Sequence, residues 1–167
     1  DDQETISTTD YFIVSLLNVI ENIRQNGLIT EMSVKKMASD RVVGKLNLQE
    51  QIKKNPAYDK FHVDKNEVTE DILINQTLKA AIVKAKELTS LDWILPLLDN
   101  GENYFDNVQI IEEIDGNDFP RVEDYTTIKR EDYEKALLFS KYILFGYDPL
   151  TGETQGFFPE FMLDMNE

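Results

Sequence analysis

Cysteine is absent from this chain, and its absence excludes several kinds of chemistry. Without a thiol the protein has no disulfide, no thiolate-bound metal and no cysteine nucleophile. Histidine is almost as scarce, because His62 is the only one. It stands between Phe61 and Val63 in a stretch with extended character, where we expect a half-buried strand residue. A zinc site built from histidine and cysteine ligands is therefore not predicted.

Nucleotide-binding and nuclease signatures are missing as well. The chain contains neither the GxxxxGK[ST] loop that cradles phosphates nor the GxGxxG turn of dinucleotide-binding folds. No lysine has an acidic residue two positions before it, so the (Asp/Glu)-x-Lys pair of restriction-type nucleases is absent in its standard form. In such nucleases the acids hold a divalent ion that activates water. We therefore predict that this segment carries no catalytic residue and no cofactor of its own.

Long apolar runs and targeting signals are also lacking. No run of about 18 apolar residues occurs, so we expect no membrane-spanning helix. The first residues, Asp1-Asp2-Gln3-Glu4, lack the basic region and apolar stretch of a signal peptide. These absences favour a cytoplasmic protein. Because the first residue is not Met, we expect the chain to begin inside a longer protein.

What the chain has in excess is negative charge, unevenly distributed. The net charge is −15, and 41% of the 167 residues are hydrophobic, enough for a core. Residues 1–90 hold 12 basic and 14 acidic residues, whereas residues 91–167 hold 5 and 18. The second half would repel a phosphate backbone. The plausible basic surface is residues 35–60, and it is either a solvated face or a docking surface for an acidic partner or for DNA. Its basic residues are Lys35, Lys36, Arg41, Lys45, Lys53, Lys54 and Lys60.

Four acidic residues lie near position 115, and their carboxylate oxygens are ligands that suit Ca²⁺ and Mg²⁺. Their spacing does not match an EF-hand loop, so a solvated acidic face is favoured over a metal site. The residues are Glu112, Glu113, Asp115 and Asp118.

Helical periodicity predicts three long helices. The first spans residues 9–26, with cap oxygens at Ser7–Asp10 and a stop at Gly27. The second runs from Thr69, its predicted cap, to Thr89, and the third spans Arg130 to Phe145. Between them, Pro96 predicts a kink or two short helices within residues 91–98. We further expect a turn at Asn100-Gly101 and a short helix at residues 104–114.

Extended character is confined to one region. Residues 28–34 read as a strand with Arg41-Val42-Val43 as a hairpin partner, residues 46–53 as a short helix, and residues 58–63 as extended. The predicted fold is therefore mainly α with a small β element near residues 28–63, an α+β adaptor. It forms one region over residues 1–167, with a small α+β part at 1–66 and a helical part at 67–167.

Four segments, in this order, resemble the McrC family, the nuclease-carrying subunits of modification-dependent restriction systems. Arg41-Val42-Val43-Gly44-Lys45-Leu46 is similar to the family's "G-R-I" segment, with Lys45 in place of Arg. Glu70-Asp71, Asn75 and Leu78-Lys79 resemble its "tED…NRxLK" helix start, with Gln76 in place of Arg. Tyr133, Ala136-Leu137 and Ile143-Leu144 match the next helix, and Asp164-Met165-Asn166 matches the "DMN" signature that precedes the nuclease domain.

The resemblance implies a function for the segment that precedes the PD-(D/E)xK nuclease domain. McrC proteins bind the hexameric GTP-hydrolysing AAA+ partner McrB, stimulate hydrolysis and cut DNA at methylated sites. This chain would then be a non-catalytic adaptor, with GTP on its partner, Mg²⁺ only in the nuclease domain, and DNA contacted through the full complex. The hairpin would be the probe that reaches the motor. The predicted contacts are Lys35, Lys36, Arg41 and Lys45.

Three alternatives stay open at this point. Residues 35–60 would serve a DNA-binding module, the helices would serve a stand-alone protein-interaction domain, and Glu112–Asp118 would serve an enzyme with an acidic metal site.

Overall fold

The computed structural model of the protein describes residues 6–39, 45–46 and 61–146. Contacts along the chain group it into two units. We call Asp1–Ile29 together with Asp71–Glu167 the helical unit, and Thr30–Glu70 the sheet unit. The chain therefore leaves the helical unit after Ile29 and re-enters it at Asp71.

The described residues form four α-helices, three short 3-10 turns and three strands. The helices are α1 (Thr8–Asn26), α2 (Leu73–Leu88), α3 (Leu95–Tyr104) and α4 (Glu131–Phe145). The strands are β1 (Glu31–Ser39), β2 (Lys45–Leu46) and β3 (Phe61–Thr69), and the 3-10 turns are Asp92–Ile94, Gly116–Asp118 and Val122–Asp124. The prediction of a mainly α fold with a small β element is confirmed.

Helix α1 follows the predicted capping and periodicity. The Ser7 side chain accepts a hydrogen bond from the Asp10 N–H at 3.1 Å, and Gly27 ends the helix with a φ of 91°. Its apolar stripe packs on α4, where the Phe12 ring stacks on Tyr142 with 3.8 Å between centroids. This packing groups α1 with residues beyond 70. The division into residues 1–66 and 67–167 stays a prediction.

A hydrophobic core lies among the four helices, and its burial is the main favourable term in folding. Pro96 occupies the first turn of α3, where its missing N–H costs no hydrogen bond. The predicted break within residues 91–98 is thereby confirmed, as a 3-10 turn followed by a helix. The largest fully buried side chains are Tyr133, Phe12, Phe105, Phe139, Ile13, Leu16, Ile23, Ile74, Leu78, Ile82, Ile94 and Leu98.

Inside this core, three residues form a closed cycle of hydrogen bonds. The Ile29 N–H donates to the Tyr133 hydroxyl at 2.9 Å, and that hydroxyl donates to Asn75 Oδ1 at 2.6 Å. Asn75 Nδ2 then donates to the Ile29 carbonyl at 2.8 Å. The cycle satisfies both backbone groups of Ile29, the last residue before the sheet unit. Because burial raises the pKa of Tyr133, its phenol stays protonated as a donor.

A second group of hydrogen bonds joins the end of α1 to the start of α4. Arg130 Nη2 donates to the Gly27 carbonyl at 2.7 Å and to Asp132 Oδ2 at 3.0 Å. Asp132 also accepts from Asn26 Nδ2 at 3.1 Å. Burial alone would raise the pKa of Asp132, but the hydrogen bonds from Arg130, Asn26 and the Tyr133 N–H outweigh it and lower that pKa.

Two more buried polar groups tie the helices to the irregular segments. Lys79 is 7% exposed, and its Nζ donates to the carbonyls of Phe105 at 2.9 Å and Val108 at 2.7 Å, just after α3 ends. Asp10 accepts from the hydroxyls of Thr89 at 2.7 Å and Ser90 at 2.8 Å, at the end of α2. Burial would raise the pKa of Asp10, but these hydrogen bonds and that from Ser7 lower it.

The sheet unit is antiparallel, with strand order β1-β3-β2. Strand β1 pairs with β3 along its whole length, from Glu31 opposite Thr69 to Ser39 opposite Phe61. The strand predicted at residues 28–34 therefore begins later and runs further. Its partner is β3 rather than the predicted Arg41-Val42-Val43, which lies outside the described residues.

Three local predictions are wrong. Thr69 is the last residue of β3 and does not cap a helix, because its backbone pairs with Glu31; α2 begins at Leu73 without a side-chain cap. Residues 105–114 are not helical, because Lys79 holds the Phe105 and Val108 carbonyls outside a helix. Asn100-Gly101 is not a turn. Gly101 lies within α3, where a Cβ atom would sit 3.5 Å from Leu17 Cδ2 on α1.

The hydrogen-bond cycle predicts a large cost for removing one hydroxyl. Replacement Tyr133→Phe leaves Asn75 Oδ1 and the Ile29 N–H buried without this partner, so we expect the free energy of unfolding to fall by about 2 kcal/mol. Urea titration followed by circular dichroism measures the change. Ser140→Ala is the matched control, because the buried Ser140 hydroxyl has no partner among the described residues. It should leave stability unchanged or raise it, and equal losses in both variants would contradict the cycle's role.

Acid should weaken the hydrogen bonds that Asp132 accepts from Arg130 and Asn26. The ordinary pKa of this carboxyl is 3.8 and folding lowers it, so its contribution is complete above about pH 4 and is lost as pH falls through the folded value. Asp132→Asn should therefore have a lower free energy of unfolding than the parent protein at pH 7, and this difference should narrow on acidification toward pH 2. Asp106→Asn, which alters an exposed carboxylate, should have the same free energy of unfolding as the parent protein. A difference for Asp132→Asn that stays constant with pH would contradict the assignment.

Candidate docking surface

Three exposed apolar side chains lie together on the sheet unit. Met32 in β1 pairs directly with Val68 in β3, and Val34 lies two residues along β1. Because side chains alternate along a strand and paired residues share a face, all three belong to one face of the sheet. Their exposed fractions are 71% for Met32, 67% for Val68 and 60% for Val34. A cluster of this kind marks a candidate binding site.

The basic residues predicted from the sequence occupy defined positions in the same sheet. Lys36 in β1 and Lys45 in β2 are both paired with Asp64 in the central strand. Lys35 is paired with another cation, Lys65. The strands thus bring Lys36 and Lys45 into one cross-strand row and place Lys35 in the next. Arg41 lies outside the described residues.

The separation of charge follows the division into units. The sheet unit contains eight lysine and arginine residues against seven acids, so its net charge is +1. The rest of the chain contains nine against 25 and carries −16. An uneven charge distribution of this size orients an approaching charged partner. The unit that carries the exposed apolar face is therefore also the one that an acidic surface approaches with least repulsion.

Residues that carry the family resemblance have structural roles in the helical unit. Asn75 and Tyr133 belong to the hydrogen-bond cycle, and Lys79 holds the segment after α3. Asp71 accepts the Gln109 N–H at 2.8 Å and Gln76 Nε2 at 3.0 Å, and these bonds lower its pKa. These motif residues thus maintain the scaffold, and their side chains are engaged there.

The acidic residues near position 115 do not assemble a site in the structure. Within residues 6–39, 45–46 and 61–146, no three His, Asp or Glu side chains are grouped so that they could hold a metal ion. Asp115 instead accepts the Asn117 N–H at 2.9 Å in a local turn. Over the same residues, no helix is long and apolar enough to cross a membrane.

Comparison with known proteins now defines the class of this protein. The chain belongs to the family described as McrBC 5-methylcytosine restriction system component, which matches residues 2–167. The McrC-family resemblance seen in the sequence is thereby confirmed. No curated protein matches the chain.

Two solved structures from Thermococcus gammatolerans have a similar fold. One is the cryo-EM structure of the McrBC complex, with a TM-score of 0.67 and 22% identity over 84% of this chain. The other is a half-complex of McrB AAA+ hexamers with bound McrC, with a TM-score of 0.59 and 24% identity over 82% of this chain. The matches cover 42% and 34% of those chains, so this chain spans less than half of either. At these identities the likeness shows the fold.

Sequence reasoning selected the cations but missed the apolar face. Met32 and Val34 lie within the predicted strand, whereas Val68 lies outside every predicted element. The signal that identifies the face is the pairing of Met32 with Val68, which depends on a register between segments more than thirty residues apart.

The exposed face predicts substitutions that leave stability intact. Met32→Thr, Val34→Thr and Val68→Thr should each change the free energy of unfolding by less than about 0.5 kcal/mol, because exposed sites contribute little. Threonine keeps the strand propensity. Leu16→Ala, at a fully buried site, is the contrast and should cost about 2–5 kcal/mol. If Met32→Thr or Val68→Thr lowered the free energy of unfolding as much as Leu16→Ala, the face would be packed against other residues and not free to bind a partner.

Proposed function

We propose that this chain is the motor-docking portion of a McrC-like restriction subunit. Its sheet unit engages a McrB-like, GTP-hydrolysing AAA+ hexamer and stimulates hydrolysis. The coupled DNA cleavage is carried out by a PD-(D/E)xK nuclease domain of the subunit. The observation that carries the proposal is the exposed apolar face of Met32, Val34 and Val68 on a unit whose eight lysine and arginine residues outnumber its seven acids.

The contact chemistry is that of a mixed apolar and charged interface. The exposed apolar anchors supply affinity when binding buries them, and Lys35, Lys36, Arg41 and Lys45 supply register and steering toward acidic groups on the motor. The fold likeness to a chain in an assembly of McrB AAA+ hexamers with bound McrC supports the choice of partner.

The segment itself acts as an adaptor without chemistry or cofactor of its own. The nucleotide belongs to the motor, and Mg²⁺ belongs to the nuclease domain. Stimulation by contact alone is physically sufficient, because phosphoryl transfer depends on positioning of the water and of charged groups around the phosphate. DNA is reached through the full complex in the cytoplasm, since a −16 helical unit repels phosphates.

The test measures GTP hydrolysis by the cognate AAA+ partner with and without this protein. The parent protein should stimulate hydrolysis. The double variant Met32→Glu, Val68→Glu should bind the motor more weakly, because charges replace the apolar anchors. The protein concentration that gives half-maximal stimulation should therefore rise at least about tenfold. Lys35→Glu, Lys36→Glu and Arg41→Glu combined should abolish stimulation by reversing the charge of the predicted contact.

The matched control is Ile128→Glu, the same kind of change at a 70% exposed apolar residue of the helical unit. It should stimulate like the parent protein. Equal loss in this control, or full stimulation by the sheet variants, would overturn the proposal. Tight, salt-dependent binding of the protein alone to a DNA duplex would instead favour the alternative of a DNA-binding module.

A further inference from the structure

The helical unit has an exposed apolar patch that the proposed function does not use. Trp93 is 55% exposed and Leu97 is 46% exposed, one helical turn apart where the Asp92–Ile94 turn leads into α3. Neighbouring Ile94 and Leu98 are fully buried, so the segment turns its other side to the core. Tryptophan is among the residues enriched at interface hot spots.

A shallow groove of about 470 Å³ adjoins Leu97 between α3 and α1. Its apolar lining includes Leu17, Ile20, Leu97 and Tyr104, and its polar lining includes Asn18 and Asn100. Gly101 also lines it, where α3 approaches Leu17 on α1. The polar rim residues Glu21 and Arg24 are paired with each other at 2.6 Å. The groove can therefore accept an apolar side chain without displacing an unpaired charge.

The electrostatic surroundings select the kind of partner. Residues 87–120, which contain the patch, include nine aspartates and glutamates and no lysine, arginine or histidine. Asp92 directly precedes Trp93, and Asp99 follows Leu97 by two residues. Lys86, on α2, pairs with Asp99 at 2.6 Å and with Glu102, which leaves the excess strongly negative. The Asp99 side chain remains 62% exposed in that ion pair.

We propose that Trp93, Leu97 and the adjoining groove form a docking site for a basic polypeptide segment that carries apolar anchors. Such a segment places its apolar side chains on Trp93 and in the groove and its lysines or arginines among the surrounding acids. A nucleic acid is repelled by the same acids. A second copy of this chain would bring two negative patches together, which costs free energy. The proposal is independent of the sheet unit and its partner.

The single tryptophan makes the site directly testable, because all tryptophan fluorescence comes from Trp93. The parent protein is titrated with an amphipathic lysine–leucine peptide and with a glutamate–leucine peptide of the same pattern. The basic peptide should shift Trp93 emission to the blue, and the shift should saturate as the peptide concentration rises. Binding should weaken at high salt, because the screening length of the charges shortens. The acidic peptide and a DNA duplex should produce no shift.

Leu97→Ser should weaken binding of the basic peptide about tenfold, since one buried leucine anchor is lost. Ile128→Ser, at an exposed apolar site outside the patch, should bind within about twofold of the parent protein. Both residues are exposed, so both variants keep the fold. No shift with the basic peptide, an equal shift with the acidic peptide, or equal weakening by both variants would overturn the proposal. Fluorescence that changes with protein concentration alone would assign the patch to self-association instead.

Discussion

The hydrogen-bond cycle among Ile29, Asn75 and Tyr133 is the constraint on which the helical scaffold depends. It joins the end of the α1 segment, the first turn of α2 and the first turn of α4 inside one apolar core. A buried polar network is unfavourable unless each of its polar groups has a hydrogen-bond partner. Here each hydrogen bond also holds one segment of the chain against another. Ile29 is the last residue of the helical unit before the sheet unit begins, and Asp71, held by the Gln109 N–H, is the first residue after it. Ile29 is thus held by buried hydrogen bonds, and Asp71 by hydrogen bonds from the Gln109 N–H and the Gln76 side chain.

Charge is distributed unevenly between the two units. The helical unit carries nearly all of the excess negative charge, while the sheet unit is close to neutral and bears an exposed apolar face. A strongly negative unit repels phosphates. The exposed apolar surfaces include one on the sheet and one at Trp93 and Leu97. They differ in local charge and so suit different partners.

The helices were predictable from sequence because their signals are local. Ser7 and Gly27 mark the ends of α1, and apolar spacing marks α2 and α4 within a few residues. The pairing of β1 with β3 was not predictable, because it joins segments separated by residues 40–60 and nothing local specifies the register. Likewise, residues 105–114 have helical composition, but Lys79 reaches their carbonyls from another helix. The candidate site was half predictable: its cations stand out in the sequence, whereas its apolar face exists only once the strands pair.

Hydrogen–deuterium exchange on the whole protein, alone and bound to its AAA+ partner, tests the central claim most directly. The claim is that the sheet unit, rather than the helical unit, makes the contact with the motor. Binding should slow exchange in Glu31–Ser39 and Phe61–Thr69, and it should leave the buried segments of α2 and α4 unchanged. Slower exchange confined to the helices, with the strands unaffected, would contradict the claim.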